Sequence, residues 1–513
     1  MAKPVLRYYL DTVGDGTFVT EITSVVITAD WQLGFSAPFD MMARDNEAKI
    51  TVINTSRDFS PEYTGGAYYG NLQTGRAVKI TSTYLTITRT MWVGWIQGIS
   101  PAFNITGDRT CELRCNGWFE RAQRQISKIP IQLAKTADEV IAVVLDESDI
   151  LPPGITGRWL LGVSNLGTST YLAAITDYFN ALDTGDTTFA YAGDWDSNTT
   201  VYTAIQSIVE REAGRFWQAR TGILQFAPRL WFPVQTTLAA TFADGMVGME
   251  YTYGEDISNI ITTKYQPRTV GSATATLSTM SESVAIDASG TLDVQFTFTG
   301  DAGVTVGATA LITPAATTDY LANSLADGTG VNLTANVTAS ITDTNATQAT
   351  VRYTNSGAAA FILSTSKLRG TVLTKYNELS VTAIDDTSVL AYGRHAYDSP
   401  GIQDTLGDAT TLGEYQLALR KDPVGKLTSV DWMVWNTSQT VNLLAITVGD
   451  RIALSEQQTQ TGGAWFVIGE SHSVSSEGYN VTWVLEDAGT IVYWLLGYAT
   501  QSELGQTTFV GPL

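Results

Sequence analysis

The most informative stretch of the sequence, near its N-terminus, reads Ala48-Lys49-Ile50-Thr51-Val52-Ile53-Asn54-Thr55-Ser56-Arg57-Asp58-Phe59-Ser60-Pro61-Glu62. Its first half alternates with a period of two, which is typical of a β-strand that carries Ile50, Val52 and Asn54 on one face. Its second half is polar and contains Ser60-Pro61, a pair that favours a turn. The stretch therefore predicts a strand that ends in a long polar turn.

Two more strands are expected after this turn. A glycine-rich loop leads to Gly75-Arg76-Ala77-Val78-Lys79-Ile80 and then to Met91-Trp92-Val93-Gly94-Trp95-Ile96-Gln97-Gly98-Ile99. Short strands separated by glycine- and proline-containing turns are typical of a β-barrel or β-sandwich. We expect residues 1–117 to form the first such domain.

The composition favours several packed β-rich domains. A chain of 513 residues exceeds what one hydrophobic core supports, so three or four domains are expected. Its 44% hydrophobic residues, 13 Trp and 22 Tyr argue against disorder. Only 16% of the residues are charged, and Thr, Ser, Ala and Gly are abundant, which is typical of extracellular or virion β-structure.

The charge balance argues against nucleic-acid binding. The formal net charge is −21, and affinity for nucleic acid comes mainly from Lys and Arg that neutralise phosphates. We expect the chain to repel DNA and anionic membranes. No signal peptide is recognised after Met1, and the apolar run 491–496 is too short to span a bilayer, so synthesis and assembly in a cytoplasm are expected.

The two cysteines are expected to be free buried thiols. Cys111 and Cys115 lie four residues apart, and in a strand their Cα atoms would be roughly 13 Å apart. A disulfide needs less than about 7 Å. With only two Cys and no His nearby, a zinc site is not expected either.

The region after residue 117 mixes helix and strand. Thr136-Ala137-Asp138-Glu139 is a capping box that predicts a helix, and apolar spacing predicts another from about 200 to 213 that stops at Gly214. Arg215–Arg220 and Ile223–Phe226, joined at Thr221-Gly222, then predict a hairpin with a glycine turn.

The composition changes abruptly after residue 268. No Lys or Arg occurs between Arg268 and Arg352, and no Trp occurs between Trp231 and Trp432. The segment is rich in Thr, Ala, Val and Gly and alternates in strand fashion, for example at 294–298. We predict an inserted β-sandwich at 270–372 rather than a disordered linker. A helix at 408–420 and a second barrel at 427–485 follow, and 491–513 is interpreted as an arm that packs on this chain or a neighbour.

Each catalytic or metal motif that the sequence offers lacks a required partner. Asp11–Gly16 resembles the start of a calcium loop, but Val13 and Ile22 stand where ligands are needed. Ser364 and Lys367 match Ser-x-x-Lys, but residues three apart in a strand face opposite sides. His395 and His472 are near no nucleophile elbow, and we interpret both as structural.

A polar loop carries four acidic residues, Asp183, Asp186, Asp194 and Asp196. Their carboxylates could ligate a cation or form a glycosidase pair, although solvated loop acids are the simpler interpretation. We expect no catalytic residue, no cofactor-binding residue and no metal ligand, and therefore no enzyme.

In their order and spacing these elements resemble the tail-tip or baseplate hub family of long-tailed phages. The resemblance covers most of the chain and is carried by the N-terminal passage and by five later elements, which are Tyr253–Tyr265, Leu368-Arg369-Gly370, Tyr392-Gly393-Arg394, Val448-Gly449-Asp450-Arg451 and Trp494–Thr508. None of these motifs is catalytic. Large hubs of some phages continue into fibre-like modules, whereas this sequence ends at Leu513.

The resemblance implies a mainly β fold in which two similar hub barrels flank an α+β middle domain. The expected divisions are a first barrel at 1–117, a middle domain at 118–252, a returning strand at 253–269, the inserted sandwich at 270–372, a second barrel with the helix 408–420 at 373–490, and the arm at 491–513.

The resemblance also implies a structural role and a set of partners. Three chains would form a hub at the virion tail tip, adapt the sixfold tail tube or distal tail ring to a threefold tip, and line the DNA exit channel. Expected partners are a distal tail protein ring, the C-terminus of a tape-measure protein and tip fibre proteins, with no specific nucleic-acid binding and no membrane span.

Two other roles stay open at this point. A receptor-binding or adhesion β-protein would use the insert at 270–372 to contact the host. A tail-associated cell-wall hydrolase would depend on the acidic loop, in particular on Asp194 or Asp196.

Overall fold

A computed structural model gives the fold of the chain. It describes residues 3–103, 109–148, 150, 181–195, 198–255, 257–299, 307–434 and 439–488, and the two short strands at 493–494 and 509–510.

The first part of the chain forms strands β1 to β7, which lie at Val5–Leu10, Thr20–Glu21, Val26–Gly34, Ala48–Ile53, Ala77–Tyr84, Ile87–Pro101 and Thr110–Asn116. The strand expected at the start of the most informative stretch is β4. Its Ile50 and Val52 are buried, whereas Lys49 and Ile53 are exposed, because successive side chains of a strand point to opposite faces. The predicted alternation is confirmed.

The second part is the expected mixture of helix and strand. It contains α1 at Trp118–Ala122, β8 at Gln132–Thr136, α2 at Ala137–Ser148, β9 at Thr188–Ala192, α3 at Val201–Glu212, β10 at Arg215–Gln218, β11 at Leu224–Ala227 and α4 at Trp231–Val234. In the capping box of α2, the Glu139 carboxylate accepts a hydrogen bond from the Thr136 N–H at 3.1 Å. The two predicted helices and the β10–β11 hairpin are confirmed.

Three strands lead out of this region, namely β12 at Ala240–Ala243, β13 at Gly248–Tyr253 and β14 at Ile260–Tyr265. The insert then contains β15 to β22, at Arg268–Thr279, Val284–Ile286, Thr291–Thr297, Gly307–Ile312, Tyr320–Asn323, Val337–Thr344, Gln348–Asn355 and Phe361–Lys375. Five of these strands share one sheet and β17, β21 and β20 form another. Side chains from both sheets, such as Phe296 on β17 and Leu363 on β22, pack into a common cluster, which is a two-layer arrangement.

The last part returns to the main body. Its elements are β23 at Leu379–Ile384, α5 at Asp386–Tyr392, β24 at Ala396–Gln403, α6 at Leu406–Arg420, β25 at Gly425–Met433, α7 at Thr440–Ala445, β26 at Arg451–Glu456, β27 at Thr461–Val474 and β28 at Tyr479–Asp487. The helix predicted at 408–420 is α6. Of the expected arm, only β29 at Tyr493–Trp494 and β30 at Phe509–Val510 are described, and they pair in parallel.

Strands from both ends of the chain form one thirteen-stranded sheet. The prediction of a mainly β chain is confirmed. The two expected barrels, however, are continuous with each other, because β3 pairs with β27 along Gly34↔Gly469 to Ala29↔Val474. Within the described residues no strand pairing closes either half into a barrel.

A buried ion pair lies under this joint between β3 and β27. Arg220, which follows β10, donates to the carboxylate of Glu470 on β27 from Nε at 2.6 Å and from a terminal nitrogen. Its terminal nitrogens also donate to the carbonyls of Leu444 at 2.8 Å and Ile446 at 2.6 Å. Glu470 is 0% exposed and Arg220 is 6% exposed. Burial alone would raise the pKa of Glu470, but Arg220 lowers this pKa to about 2.

An aromatic stack covers the same joint. The rings of Trp31 on β3 and His472 on β27 lie parallel with centroids 4.8 Å apart. His472 contacts the Tyr479 hydroxyl at 2.9 Å and the Glu470 carboxylate at 3.3 Å. His472 is therefore a buried structural residue, as the sequence indicated. Cys111 and Cys115 are free and buried, which confirms that prediction.

We expect Glu470→Gln to lower the free energy of unfolding by about 3–5 kcal/mol, because it leaves the Arg220 guanidinium buried without its counter-charge. The measurement is urea unfolding followed by Trp fluorescence. Asp293→Asn is the matched control, since it removes one partner of the exposed Asp293–Arg352 pair in the insert and should change little. Equal effects of the two substitutions would contradict the assignment.

Candidate functional site: a repeated β unit and its open edges

One four-strand arrangement occurs twice in the thirteen-stranded sheet. The strand order β4-β7-β6-β5 in the first half matches β25-β28-β27-β26 in the second. The matching positions follow from the pairing register: Ile50 lies opposite Leu113 in one copy, and Val430 lies opposite Trp483 in the other. We call β4 to β7, with the flanking strands β1 and β3, the front unit. We call β25 to β28, with the flanking strands β12 and β13, the rear unit.

The two units share the same irregularity at the same place. In β6 the register against β7 shifts between Ile96 and Gly98, and in β27 the register against β28 shifts between Val467 and Gly469. Each shift leaves one extra residue on the long strand, which is a β-bulge. A bulge at matching positions of two units is a specific feature, because it sets where each strand bends and which neighbour it can pair with next.

Backbone hydrogen bonds beside the bulges also match. The Gly75 N–H donates to the Ile96 carbonyl at 2.7 Å, and the Ile96 N–H donates to the Arg76 carbonyl at 2.8 Å. In the rear unit Gly449 donates to Val467 at 2.8 Å, and Val467 donates to Asp450 at 2.9 Å. Gly75 and Gly449 both have a positive φ, of 84° and 97°, a conformation that favours glycine.

The strands that flank each unit correspond as well, with one difference. β3 pairs with β4 as β13 pairs with β25, both antiparallel, and both strands lead to a glycine of positive φ, Gly34 at 82° and Gly254 at 78°. At the opposite side, β1 pairs with β5 antiparallel, whereas β12 pairs with β26 in parallel. The two units are therefore similar but not identical.

The long strands β6 and β27 have corresponding edges beyond their bulges, and among the described residues only the edge of β27 pairs with another strand. Beyond its bulge, β27 leaves β26 and pairs with β3. The corresponding segment of β6, Gly98–Pro101, pairs with β7 on one side and with no described strand on the other. β13, the counterpart of β3, likewise ends the sheet, and its Tyr251 and Tyr253 are 41% and 65% exposed.

A sequence signal for this repeat existed but was missed. The segment Trp95-Ile96-Gln97-Gly98-Ile99-Ser100 aligns with Phe466-Val467-Ile468-Gly469-Glu470-Ser471. Both read aromatic, aliphatic, any residue, Gly, any residue, Ser. The pattern places the bulge glycine, and a search for internal repeats would have found it.

A buried charge cluster holds the insert to the rest of the chain. Asp404, which follows β24, accepts hydrogen bonds from Arg211 of α3 and from Arg268 of β15, each at 2.6 Å. Arg268 also lies 3.3 Å from Asp194, and Lys375 at the end of β22 lies 3.0 Å from Asp194. The two arginines and Asp404 are almost fully buried. Three cationic groups therefore share two carboxylates where three regions of the chain meet.

The acids of the loop 183–196 do not converge on one point. Asp194 belongs to the charge cluster, so its interpretation as a solvated loop acid is wrong, and its pKa is lowered by Arg268 and Lys375 against the opposing effect of burial. The Asp186 carboxylate accepts from the Leu230 N–H at 3.1 Å. The Asp183 side chain is exposed, and Asp196 lies outside the described residues.

Glu212 is a buried carboxylate that sequence reasoning missed. It ends α3, is 0% exposed, and accepts the N–H groups of Asp186 at 3.0 Å and Thr187 at 3.1 Å. Burial raises its pKa to about 7, against a smaller opposing effect of Arg229. The signal was its position on α3: Glu212 continues the series Val201, Ile205 and Ile208 at helical spacing, which places it on the buried face.

The remaining candidate motifs are structural where they are described. The Asp11 carboxylate accepts from the N–H groups of Gly14 and Gly16, which closes a turn. The Ser364 hydroxyl donates to the Leu321 carbonyl at 3.2 Å, and Lys367 lies 4.0 Å from Asp319 instead.

His395 is the last of these candidate residues. Its backbone N–H donates to the Asn259 side-chain oxygen at 2.9 Å, and its ring nitrogen Nε2 lies 3.1 Å from the Tyr392 carbonyl oxygen. Among the described residues no group of three or more His, Cys, Asp or Glu is placed to hold a metal ion. In the same part of the chain no helix is both long and apolar enough to cross a membrane.

The chain is similar in overall course to phage tail proteins of known structure. A tail protein from Neisseria meningitidis MC58 is 10% identical with a TM-score of 0.48, and the alignment covers 95% of this chain and 97% of that one. The 43 kDa tail protein of prophage MuSo2 from Shewanella oneidensis is 8% identical with a TM-score of 0.46, covering 94% and 98%.

A third neighbour is the prophage tail protein gp18 from Listeria monocytogenes EGD-e, which is 8% identical with a TM-score of 0.36 and coverages of 93% and 94%. No protein-family model and no curated protein matches the chain. Identities this low and TM-scores below 0.5 give no basis for transferring a role from these structures.

We expect Asp404→Asn to loosen the contact between the insert and the main body, because Arg211 and Arg268 would then lie buried side by side with one carboxylate fewer. Hydrogen exchange should become faster in α3 and at the start of β15. Lys375→Ala is the control, since Lys375 is 45% exposed and its pair is partly screened by solvent. Unchanged exchange in Asp404→Asn would show that the cluster does not hold these regions together.

We expect Glu212→Gln to reduce the loss of stability as the pH rises. The folded-state pKa of Glu212 lies above its unfolded value, so the folded state binds more protons between about pH 4.5 and 7 and stability falls across that window, by about 3 kcal/mol. Unfolding at pH 5 and pH 8 should show a smaller difference in the variant than in the natural chain. Glu282→Gln, at an exposed position, should keep the natural difference; an equal difference in all three proteins would refute the role of Glu212.

Proposed function

We propose that this chain is a structural subunit of a phage tail tip, in which three copies form a hub. The observation that carries the proposal is the repeat of one β unit at both ends of the chain, with matching register, bulge and hydrogen bonds. Three chains with two similar units each offer six similar positions around an axis. This suits a part that meets a sixfold tail tube or distal tail ring on one side and a threefold tip on the other.

The rest of the chain fits such a role. In the proposed division the repeated units form the hub, the α+β region 118–252 supports them, and the sandwich 270–372 projects from the body. The charge cluster at Asp404 supports this division, because it places a firm attachment at the base of the insert. The tape-measure C-terminus and tip fibre proteins are proposed as further partners in the virion.

The acidity of the chain suits a passage for DNA. Three chains of net charge −21 around an axis would repel the phosphate backbone, so DNA could move through without being retained. The role is proposed to be non-enzymatic. Asp194 supports this, because a carboxylate held by two cations is a poor general acid. A peptidoglycan zymogram with lysis that depends on Asp194 would count against it.

The stoichiometry of the purified chain tests the hub. We expect mass photometry to show a species of three times the 55.3 kDa chain. A chain in which residues 271–371 are replaced by a short glycine linker is expected to keep this stoichiometry, since the insert has its own hydrophobic cluster. Binding of the full chain to host cells that is lost in the shortened chain would favour the adhesion role. A dimer or tetramer as the stable species would contradict the hub.

A further inference from the structure

The joint between β3 and β27 has an unused counterpart on the surface of the same chain. In the joint, β3 of the front unit pairs with the post-bulge segment of β27 in the rear unit. The equivalents of these two segments are β13 in the rear unit and Gly98–Pro101 of β6 in the front unit. Both are edges within the described part of the chain.

We infer that β13 of one chain pairs antiparallel with residues 98–101 of β6 in a neighbouring copy, so that the joint inside each chain is repeated between chains. This inference rests on the proposed ring of alternating front and rear units. An edge strand presents free N–H and C=O groups and is a ready template for another strand. The partner is a second copy of this chain, because the complementary edge is carried by the chain itself.

The internal joint fixes the register of the external one. It pairs Gly34 with Gly469, Leu33 with Glu470 and Gln32 with Ser471. Transferring these pairs to the equivalent positions gives a ladder with Gly254 opposite Gly98, Tyr253 opposite Ile99, Thr252 opposite Ser100 and Tyr251 opposite Pro101. A slip by one residue would turn every side chain to the wrong face.

A groove of about 700 Å³ lies where this ladder would begin. Thr74, Gly75, Ile96 and Gln97 are among the residues that line it. Their equivalents in the rear unit surround the end of β3. There the Phe35 N–H donates to the Ile468 carbonyl at 2.8 Å. A Cβ added to Gly34 would lie 2.4 Å from that carbonyl oxygen. The groove is thus the open counterpart of a place that the chain fills in the rear unit.

Where the internal joint is apolar, both the groove and the residue proposed to enter it are polar. In the internal joint Phe35 belongs to one buried apolar cluster with Val448 and Ile468, whereas the equivalents of the last two, Thr74 and Gln97, are polar. The residue that corresponds to Phe35 is Glu255, which is exposed. Glu120, Arg121 and Arg124 line the same groove, and Arg124 pairs with Glu120. The two arginines and one glutamate leave the groove with one net positive charge, which favours an acidic residue entering it.

The buried face of the ladder also corresponds. Trp31 stacks on His472 in the internal joint, and the equivalent pair is Tyr251 with Pro101. Pairing would bury the exposed Tyr251 and Tyr253 against Pro101 and Ile99, which supplies apolar contact. Pro101 has no N–H to donate, so the ladder ends there, as prolines do at strand edges.

Disulfide crosslinking at one position tests the pairing and its register. The Ala102 N–H donates to the Thr110 carbonyl in β7, so Ser100, two residues away, also directs its backbone groups to β7. Ser100 and Thr252 would therefore form a non-hydrogen-bonded pair, with Cα atoms about 4.5 Å apart, within the range of a disulfide. A mixture of the full chains Ser100→Cys and Thr252→Cys, oxidised after mixing, is expected to give covalent dimers that neither variant gives alone.

Two control experiments show whether a link, or the lack of one, depends on the proposed register. The double variant Gln32→Cys/Ser471→Cys has the same geometry inside one chain and should lose its two added free thiols on oxidation without forming a covalent dimer. Ser100→Cys mixed with Tyr253→Cys is out of register and should stay unlinked. Oligomers without the Ser100–Thr252 link would overturn the ladder and leave the hub standing. A chain that stays monomeric and unlinked at the highest soluble concentration, while the internal control closes, would overturn both.

Discussion

The pairing of β3 with β27 is the constraint on which the rest of the structure depends. It joins residues that are more than four hundred positions apart in sequence, and β4 to β26 all lie in the loop that this contact closes. Such a contact has a large entropic cost, so it needs strong local support. The Arg220–Glu470 pair, the Trp31–His472 stack and the carbonyls of Leu444 and Ile446 supply that support from three different elements.

The buried charge at this joint favours specificity more than raw stability. A well-packed apolar pair at the same place could be equally stable. An arginine that must find one carboxylate and two carbonyls, however, fixes β27 at one place against α7 and the segment after β10. A sheet with matching units has alternative pairings of similar strands, and the edge of β6 could take the place of β27 beside β3. The ion pair at Glu470 distinguishes β27 from β6, since the equivalent position in the front unit is Ile99.

The comparison between the two units shows which features the repeat preserves. The bulge, the positive-φ glycines and the hydrogen bonds beside them are the same, and these determine the path of the backbone. The flanking strand differs in direction, with β1 antiparallel and β12 parallel to its neighbour. The features that the two units share lie at the edges where units meet. The feature in which they differ, the direction of the flanking strand, lies at the far side. A ring of alternating units would use the first set and tolerate the second.

The sequence predicted local structure well where the pattern and the chemistry are local. The alternation of β4, the capping box of α2, the end of α3 just before Gly214 and the free cysteines all follow from neighbouring residues. The sequence did not predict the long-range contacts. Nothing near Asp194 in the sequence indicates Arg268 or Lys375, and nothing near Glu470 indicates Arg220, so Asp194 was misinterpreted and the joint was not foreseen. Two similar barrels were expected from the family resemblance. Their continuity through β3 and β27 was not foreseen, because the glycine of the bulge does not by itself indicate that β27 changes partners.

The proposal that the two units act as equivalents in a ring can be tested most directly by electron cryomicroscopy of the assembled chain. If the units are equivalent, a reconstruction without imposed symmetry should show six β-unit densities at one radius, separated by about 60°. Front and rear units at clearly different radii, or a closed assembly that lacks a threefold axis, would contradict the account.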